Sequence, residues 1–378
     1  MTTERGRAVA EVCERLLAEN DYDATSVPAR ALAERALAEF AARGLLRLRF
    51  LETGMIAEGD MTELGEIVEA FAARSHTLMS LFLINAVFGA AAVAFFGSSE
   101  QKRRLLPEIC QGKCQTAFAL TECGAGSDAA AIEARYRRSD GGYRLNGIKY
   151  FTTGAEVADY LLVVAREEGA AAGTRAESIF IVPRDAPGLT VEPLPKLAGN
   201  VHASCRVRIE NVAVADDTIL GGAKGVHQAW PALRRLGLLE RCAVACASVG
   251  LAGAVVQRTF EYARVRRQFD QPIASLQSIQ FMLVDMKTLE RTMCLLVQHA
   301  ARALEADVDA VFAVCSAKAY CAEKLQELVA AGMRILGGRA YFDFEPMSRY
   351  YREAPWMLYA GGTVEIQKRT AARALGIG

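Results

Sequence analysis

The sequence predicts a mixed, mainly helical fold (α+β, mainly α): helices, then a small β domain, then a helical bundle. Three observations predict it. Residues 1–112 are rich in Ala, Leu, Glu and Arg, with apolar residues at roughly helical spacing. From Thr116 to about Ile219, short β-type runs alternate with turns. From about Gly225 the helical period returns in long segments with short connections, the pattern of an antiparallel bundle. The implied domains are 1–112, 113–224 and 225–378.

Taken in order, Leu32, Ala36, Phe40 and Leu45 recur as one helical stripe. The segment Gly97–Lys113 opens with a serine cap and closes on a glycine stop. In the middle stretch, TAFALTE, ARYRR, YRLNGIKYFTT, YLLVVAR, SIFIVP and CRVRIENVAV read as strands. Asp140-Gly141-Gly142 marks a hairpin, and Asn146-Gly147 a second tight turn. Four prolines between Pro183 and Pro195 suit loops and sheet edges. In the last stretch Leu276, Ile279, Leu283 and Met286 form an apolar stripe that reads as bundle core. The string RCAVACASVGLAG opens a long helix, with Glu240 at its head.

Charge excludes some functions. The 44 basic and 44 acidic residues cancel, so nothing in the charge favours nucleic acid or an anionic membrane. The charged N-terminus lacks the apolar segment of a secretory signal. An uncharged run from Ser75 to Ser99 contains His76 and Asn85, and only Ala86–Phe96 is continuously apolar, which is short for a bilayer and reads as a core helix. Ten cysteines without a CxxC pair read as thiols of a reducing cytoplasm, and no metal site is expected. Cys110/Cys114 and Cys242/Cys246 are each spaced to share a helix face.

The most informative string is FALTECGAGSD, Phe118 to Asp128. It leaves an apolar strand and opens a loop of two glycines, a serine and an acid. Loop N–H groups and the Ser127 hydroxyl suit a phosphate, and Thr121 suits a polar ring edge. A glycine-serine loop alone is also an ordinary turn. The string resembles the T-E-x-G-x-G-S-D signature of the acyl-CoA dehydrogenase family, with Cys123 where proline is usual. NGIKYFTTGAEVADYLLVVAR, YARVRRQFDQPIASLQ, ILGG and GGTVEIQKRTAARALG resemble later family segments, in family order. The first hundred residues carry no such motif.

The resemblance implies FAD, a homodimer or homotetramer, and a helical, β and four-helix-bundle architecture. It also implies site residues. Phe118, Leu120, Thr121, Gly126, Ser127, Phe151 and Thr153 line the flavin, Phe151 replacing a more frequent tryptophan. Arg266, Phe269, Gln277, Gly337 and Gly338 reach the FAD of a neighbouring subunit, and Thr363 and Glu365 close the site. Read alone, Arg266 is a solvated charge beside Arg264 and Arg267.

The family's chemistry takes an α-proton from an acyl thioester and moves a β-hydride to the flavin. It needs a carboxylate whose pKa a dry pocket raises. Donors to the thioester carbonyl must accompany it. Most members supply the carboxylate from a C-terminal Y-E-G-T string, but this chain reads YAGGT, with Gly361 at the glutamate position and Ala360 at the tyrosine. A smaller branch, including isovaleryl-CoA dehydrogenases, carries the glutamate on the first bundle helix as E-R with a glycine nine residues on. Glu240-Arg241 and Gly250 fit that string. Glu240 is then the base, with Ser127, Arg241 and Gly361 toward the thioester. A glutamate in the first turn of a helix otherwise serves only the helix dipole.

The expected reaction is therefore FAD-dependent α,β-dehydrogenation of an acyl thioester on CoA or a carrier protein. Electron-transferring flavoprotein or oxygen is the acceptor. A flavin oxidase or an enoyl-thioester reductase on the same scaffold is the alternative, as is a flavin-bearing partner without turnover.

Overall fold

The computed structural model describes residues 3–19, 28–171 and 175–377. The first stretch is helical, as expected: α1 (Glu4–Glu19), α2 (Ala29–Ala42), α3 (Arg49–Thr53), α4 (Asp60–Ala72), α5 (His76–Leu83), α6 (Ala91–Phe96) and α7 (Ser99–Cys110). Leu32, Ala36 and Phe40 are the buried stripe of α2. Leu45 is buried too, but beyond the helix end, where its N–H donates to the Phe40 carbonyl.

Ser98 caps α7 in a reciprocal box with Gln101. Past its end, Gly112 adopts φ +70°, and a Cβ there would lie 2.4 Å from the Leu37 carbonyl oxygen, so only glycine fits. Cys110 is the last residue of α7 and Cys114 lies beyond it, so they do not share a helix face. The glycine stop separates them.

Between α5 and α6 the chain widens into a π-helical segment, Ile84–Ala90. The helical run His76–Phe96 is therefore long and apolar enough to cross a membrane, contrary to the length argument from sequence. It is mostly buried within the protein, as a core helix is, and so is the second helix of that kind, Ala229–Val265.

Seven strands form one sheet: β1 (Thr116–Ala119), β2 (Arg135–Ser139), β3 (Gly142–Thr153), β4 (Tyr160–Glu167), β5 (Glu177–Pro183), β6 (Leu189–Leu194) and β7 (Ser204–Ala215). Their order is β1-β4-β2-β3-β7-β6, and β5 runs antiparallel along β4. The Asp140–Gly142 hairpin forms between β2 and β3 as expected. Asn146-Gly147 is not a turn: it is an irregularity inside β3, where a Cβ on Gly147 would lie 2.6 Å from that of Ala134. Close backbone approach, rather than chain reversal, requires that glycine. β6, absent from the sequence reading, ends the strand order and carries Pro193, a position that tolerates a missing donor. Tyr136 and Phe180 belong to the sheet's buried core and pack edge-to-face with each other and with Tyr143, which rests against that core.

The last stretch contains α8 (Ala229–Val265), a two-stranded hairpin of β8 (Arg267–Gln268) and β9 (Gln271–Pro272), α9 (Gln277–Ala306), α10 (Ala310–Leu336), α11 (Pro346–Glu353), α12 (Trp356–Tyr359) and α13 (Val364–Ala374). The chain divides into two compact units, Met1–Cys13 with Ala57–Met79 and Arg241–Gly378, and Glu14–Ile56 with Ser80–Glu240. In the first, α10 packs on α9 and α13, and α4 packs on α9. Leu283 and Met286 are buried, while Leu276 and Ile279 are half-buried. The sheet and α7 belong to the second.

Candidate active site

In the unit that contains the sheet, the site begins at β1. Asn85, inside the π-helical segment, accepts from the Thr116 N–H at 3.0 Å and donates to the Leu81 carbonyl. Gly89 comes so close that a Cβ would meet the Thr116 hydroxyl at 2.0 Å. The widened turn thus seats β1 and fixes where the loop after it emerges. Phe118, half-buried, packs on Phe88 with centroids 5.2 Å apart.

The loop after β1 is held by an ion pair that the sequence reading missed. Lys149, fully buried in β3, donates to Glu122 Oε1 at 2.7 Å and to the Leu120 carbonyl at 3.0 Å. The same carboxylate accepts the N–H groups of Glu133 and Ala134 at 2.6 and 3.0 Å. Burial lowers the Lys149 pKa to about 8, against the opposing pull of Glu122. The glutamate of TECGAGSD and the lysine of NGIKYFTT are therefore one structural clamp. It leaves Thr121 half-buried and Gly126 and Ser127 exposed on the loop beyond.

Phe151 and Thr153 follow on β3. Phe151 is 63% exposed and adopts φ +58°, an uncommon conformation for an aromatic residue, where the β3–β7 register shifts. The Thr153 and Ser204 hydroxyls bond each other at 2.9 Å. An exposed aromatic ring held on strained backbone beside a hydroxyl-bearing loop suits an isoalloxazine face.

In the other unit, an open cavity of about 680 Å³ is lined by Arg258, Tyr262, Arg266, Gly337, Gly338 and Arg339, among others. Arg258 and Arg339 both bind the fully buried carboxylate of Glu345, whose pKa is lowered first by the Arg258 hydrogen bond. One carboxylate thus serves two guanidiniums, and Arg266 has no acidic partner among the described residues. A cavity with surplus positive charge and a glycine wall, where Cβ atoms would meet nothing, fits a diphosphate. Within its own unit each set fits a part of FAD: the cavity residues its diphosphate, and the residues around β1 its ring.

Phe269 and Asp270 form the β8–β9 turn with φ +51° and +60°. Two adjacent left-handed residues are what a two-residue hairpin of this kind requires, which is why glycine suits the Asp270 position. Phe269 is left 85% exposed at the tip. Gln277 is exposed at the start of α9. Thr363 caps α13, accepting from the Ile366 N–H at 3.3 Å, and Glu365 is exposed in that first turn.

Gly361 and Gly362 adopt φ +68° and +96°. The turn before α13 is thus built for glycine, and a side chain at Gly361 would sit on left-handed backbone. Arg241 Nε donates to the Gly361 carbonyl at 3.1 Å, so the arginine of the E-R pair touches the YAGGT turn.

Glu240 is not in the first turn of its helix. α8 starts at Ala229, which places Glu240 about three turns inside. The helix dipole, whose influence ends within the first turn, does not account for this half-buried glutamate. Gly250 has a packing role: a Cβ there would lie 2.2 Å from the Glu69 carbonyl oxygen of α4.

Comparison with known proteins agrees with the succession of domains. Three family models match in chain order: the acyl-CoA dehydrogenase N-terminal domain over residues 4–113, the middle domain over 117–212 and the C-terminal domain over 230–376. The N-terminal third, without recognisable motifs, is thus also of the family. The chain is 34% identical over 278 residues to a 3-(aryl)acrylate reductase of Clostridium sporogenes, covering 73% of this chain and 72% of that one. It is 31% identical over 281 residues to a mitochondrial isovaleryl-CoA dehydrogenase of Oryza sativa, covering 74% and 68%. In fold it matches butyryl-CoA dehydrogenase from Megasphaera elsdenii with a TM-score of 0.90 at 24% identity, covering 98% of this chain and 97% of that one. With all three domains accounted for, the chain belongs to the acyl-CoA dehydrogenase family, oxidoreductases that use FAD to act on the CH–CH bond of acyl thioesters.

Proposed function

We propose that Glu240 is the base that removes the α-proton of the acyl thioester. One observation carries this reading: the usual position of the family's carboxylate is Gly361, on left-handed backbone suited to glycine, while Glu240 lies well inside α8 with no dipole role. FAD, when bound, supplies the acceptor for the β-hydride. Phe118, Leu120, Thr121, Gly126, Ser127, Phe151 and Thr153 hold the flavin, and Thr363 and Glu365 close its site. The Gly361 N–H, with Arg241 behind the turn, polarises the thioester carbonyl and so stabilises the enolate that develops as Glu240 takes the proton. Ser127 contacts the substrate from the flavin loop.

The acyl group rides on CoA or on a carrier protein, and electron-transferring flavoprotein or oxygen takes the electrons. Arg266, Phe269, Gln277, Gly337 and Gly338 serve the FAD of a neighbouring subunit in a homodimer or homotetramer. Exposed Phe269, Phe281, Val284, Phe342 and Phe344 support an assembled state, since so much apolar surface is costly in water. Ten free cysteines support a reducing cytoplasm.

A second reading has the same residues running the reaction in reverse, as an enoyl-thioester reductase in which Glu240 returns the α-proton. The relative named as an acrylate reductase favours it. Anaerobic mixing separates the two. A dehydrogenase bleaches its oxidised flavin with butyryl-, isovaleryl- or octanoyl-CoA, whereas a reductase, photoreduced first, is reoxidised faster by cinnamoyl- or crotonyl-CoA than it is bleached. Oxidised flavin unmoved by every saturated thioester, with reduced flavin unmoved by every unsaturated one, contradicts both. Oxygen uptake during turnover identifies the acceptor.

A further inference from the structure

The turn Leu358–Gly362 is gripped from behind by three side chains, none of them among the residues that the sequence marks for the flavin. Lys318, fully buried in α10, donates to the Gly362 carbonyl at 2.6 Å and to the Leu358 carbonyl at 3.2 Å. Gln367, fully buried in α13, donates to the carbonyls of Gly361 and Gly362 at 2.8 and 3.1 Å. Arg241 adds the contact to the Gly361 carbonyl. The N–H groups of Ala360 and Gly362 are taken by the Trp356 and Tyr359 carbonyls. Among the described residues, the Gly361 N–H has no partner.

Main-chain carbonyls crowded into one place repel one another, and a buried ammonium reverses that repulsion. A buried lysine is costly in a protein interior, so its placement against these carbonyls calls for a purpose. The peptide with the unpaired N–H lies between peptides whose carbonyls are clamped. Two cations, Lys318 and Arg241, are bound to the same turn.

We propose that Lys318 and Gln367 are positioning residues that preorganise the Gly361 N–H as the donor to the thioester carbonyl, with the Lys318 charge adding to the field that stabilises the developing enolate. This rests on the reading that the Gly361 turn serves that carbonyl. Preorganised donors and charges matter most where charge develops, so their loss falls on the rate of proton removal more than on binding.

The test compares Lys318→Met, Lys318→Arg and Gln367→Leu with the wild type. It reads bound FAD, its dissociation constant, KM, and the limiting rate of anaerobic flavin reduction by whichever of butyryl-, isovaleryl- and octanoyl-CoA the wild type oxidises fastest. Lys318→Met is expected to lower the limiting rate roughly 10–100-fold with FAD affinity and KM within about threefold of wild type. Gln367→Leu follows in the same direction with a smaller loss, and Lys318→Arg recovers part of the rate. If Lys318→Met fails to fold, Gln367→Leu and Lys318→Arg carry the same comparison. A wild-type limiting rate in folded, flavin-loaded variants overturns the inference, as does a loss confined to KM or to FAD content. A wild-type flavin that no thioester reduces overturns the underlying reading instead.

Discussion

At the scale of single residues, the informative positions are those where backbone conformation and side-chain chemistry disagree. Phe151 and Phe269 are both aromatic, exposed and left-handed, and both were marked by motif alone. A bulky residue in that region persists only where the surroundings impose it, which fits two rings presented to a ligand. Gly361 is the converse, a left-handed position that its own residue type suits. Restoring the family's usual carboxylate there is therefore unfavourable. Gly361→Glu is expected to lower stability by about 1–2 kcal/mol, the cost of a Cβ on left-handed backbone, and to leave a Glu240→Gln background inactive. Denaturant titration and flavin reduction check the two parts, and a doubly substituted protein with wild-type rate contradicts the second.

At the scale of elements, the sequence exposed patterns but not the contacts that give them purpose. The glutamate of TECGAGSD and the lysine of NGIKYFTT stand 27 positions apart, and nothing in either string says that they form one buried pair. A buried lysine in a strand of mixed polarity reads the same as a solvated one. The π-helical segment was equally hidden, because seven residues are too few to separate its period from that of an α-helix. Asn146-Gly147 carries a strong turn signal, yet close packing against Ala134 explains its glycine. Glu240 reads as a helix head only if "AWPALRRLGLL" is left out of the helix; that string is the start of α8, and its Pro231 lies in the first turn, where proline is tolerated. Lys149→Met leaves the Glu122 carboxylate buried without its cation, at an expected cost of about 3–5 kcal/mol. Adding Glu122→Gln relieves part of that cost, and bound FAD falls in parallel with stability in each variant. A double variant as unstable as the sum of the two singles denies the coupling.

At the scale of the whole molecule, the succession of helical, β and helical stretches was legible throughout, because period and composition change where the architecture does. Buried titratable groups were not legible. Glu69, on α4, has its pKa raised to about 7, first by burial and then by Glu66. A carboxyl that binds its proton more tightly when folded leaves the folded state unpenalised below its unfolded pKa. Stability then falls as pH rises from about 4.5 through about 7, where the buried group ionises. The penalty at pH 8 is at most about 3 kcal/mol, from the size of the shift. Glu69→Gln is therefore expected to stabilise the protein at pH 8 relative to wild type, with the advantage shrinking toward pH 4.5. Melting curves across that range check it, and an advantage independent of pH contradicts it.

Anaerobic stopped-flow reduction of the flavin by a saturating acyl-CoA substrate tests most directly whether Glu240 is the base. Glu240→Gln is predicted to keep its FAD and its yellow colour while the limiting reduction rate falls by about 10²–10⁴-fold, the usual contribution of a general base. A Glu240→Gln protein that reduces its flavin at the wild-type rate would show that the α-proton leaves by another route.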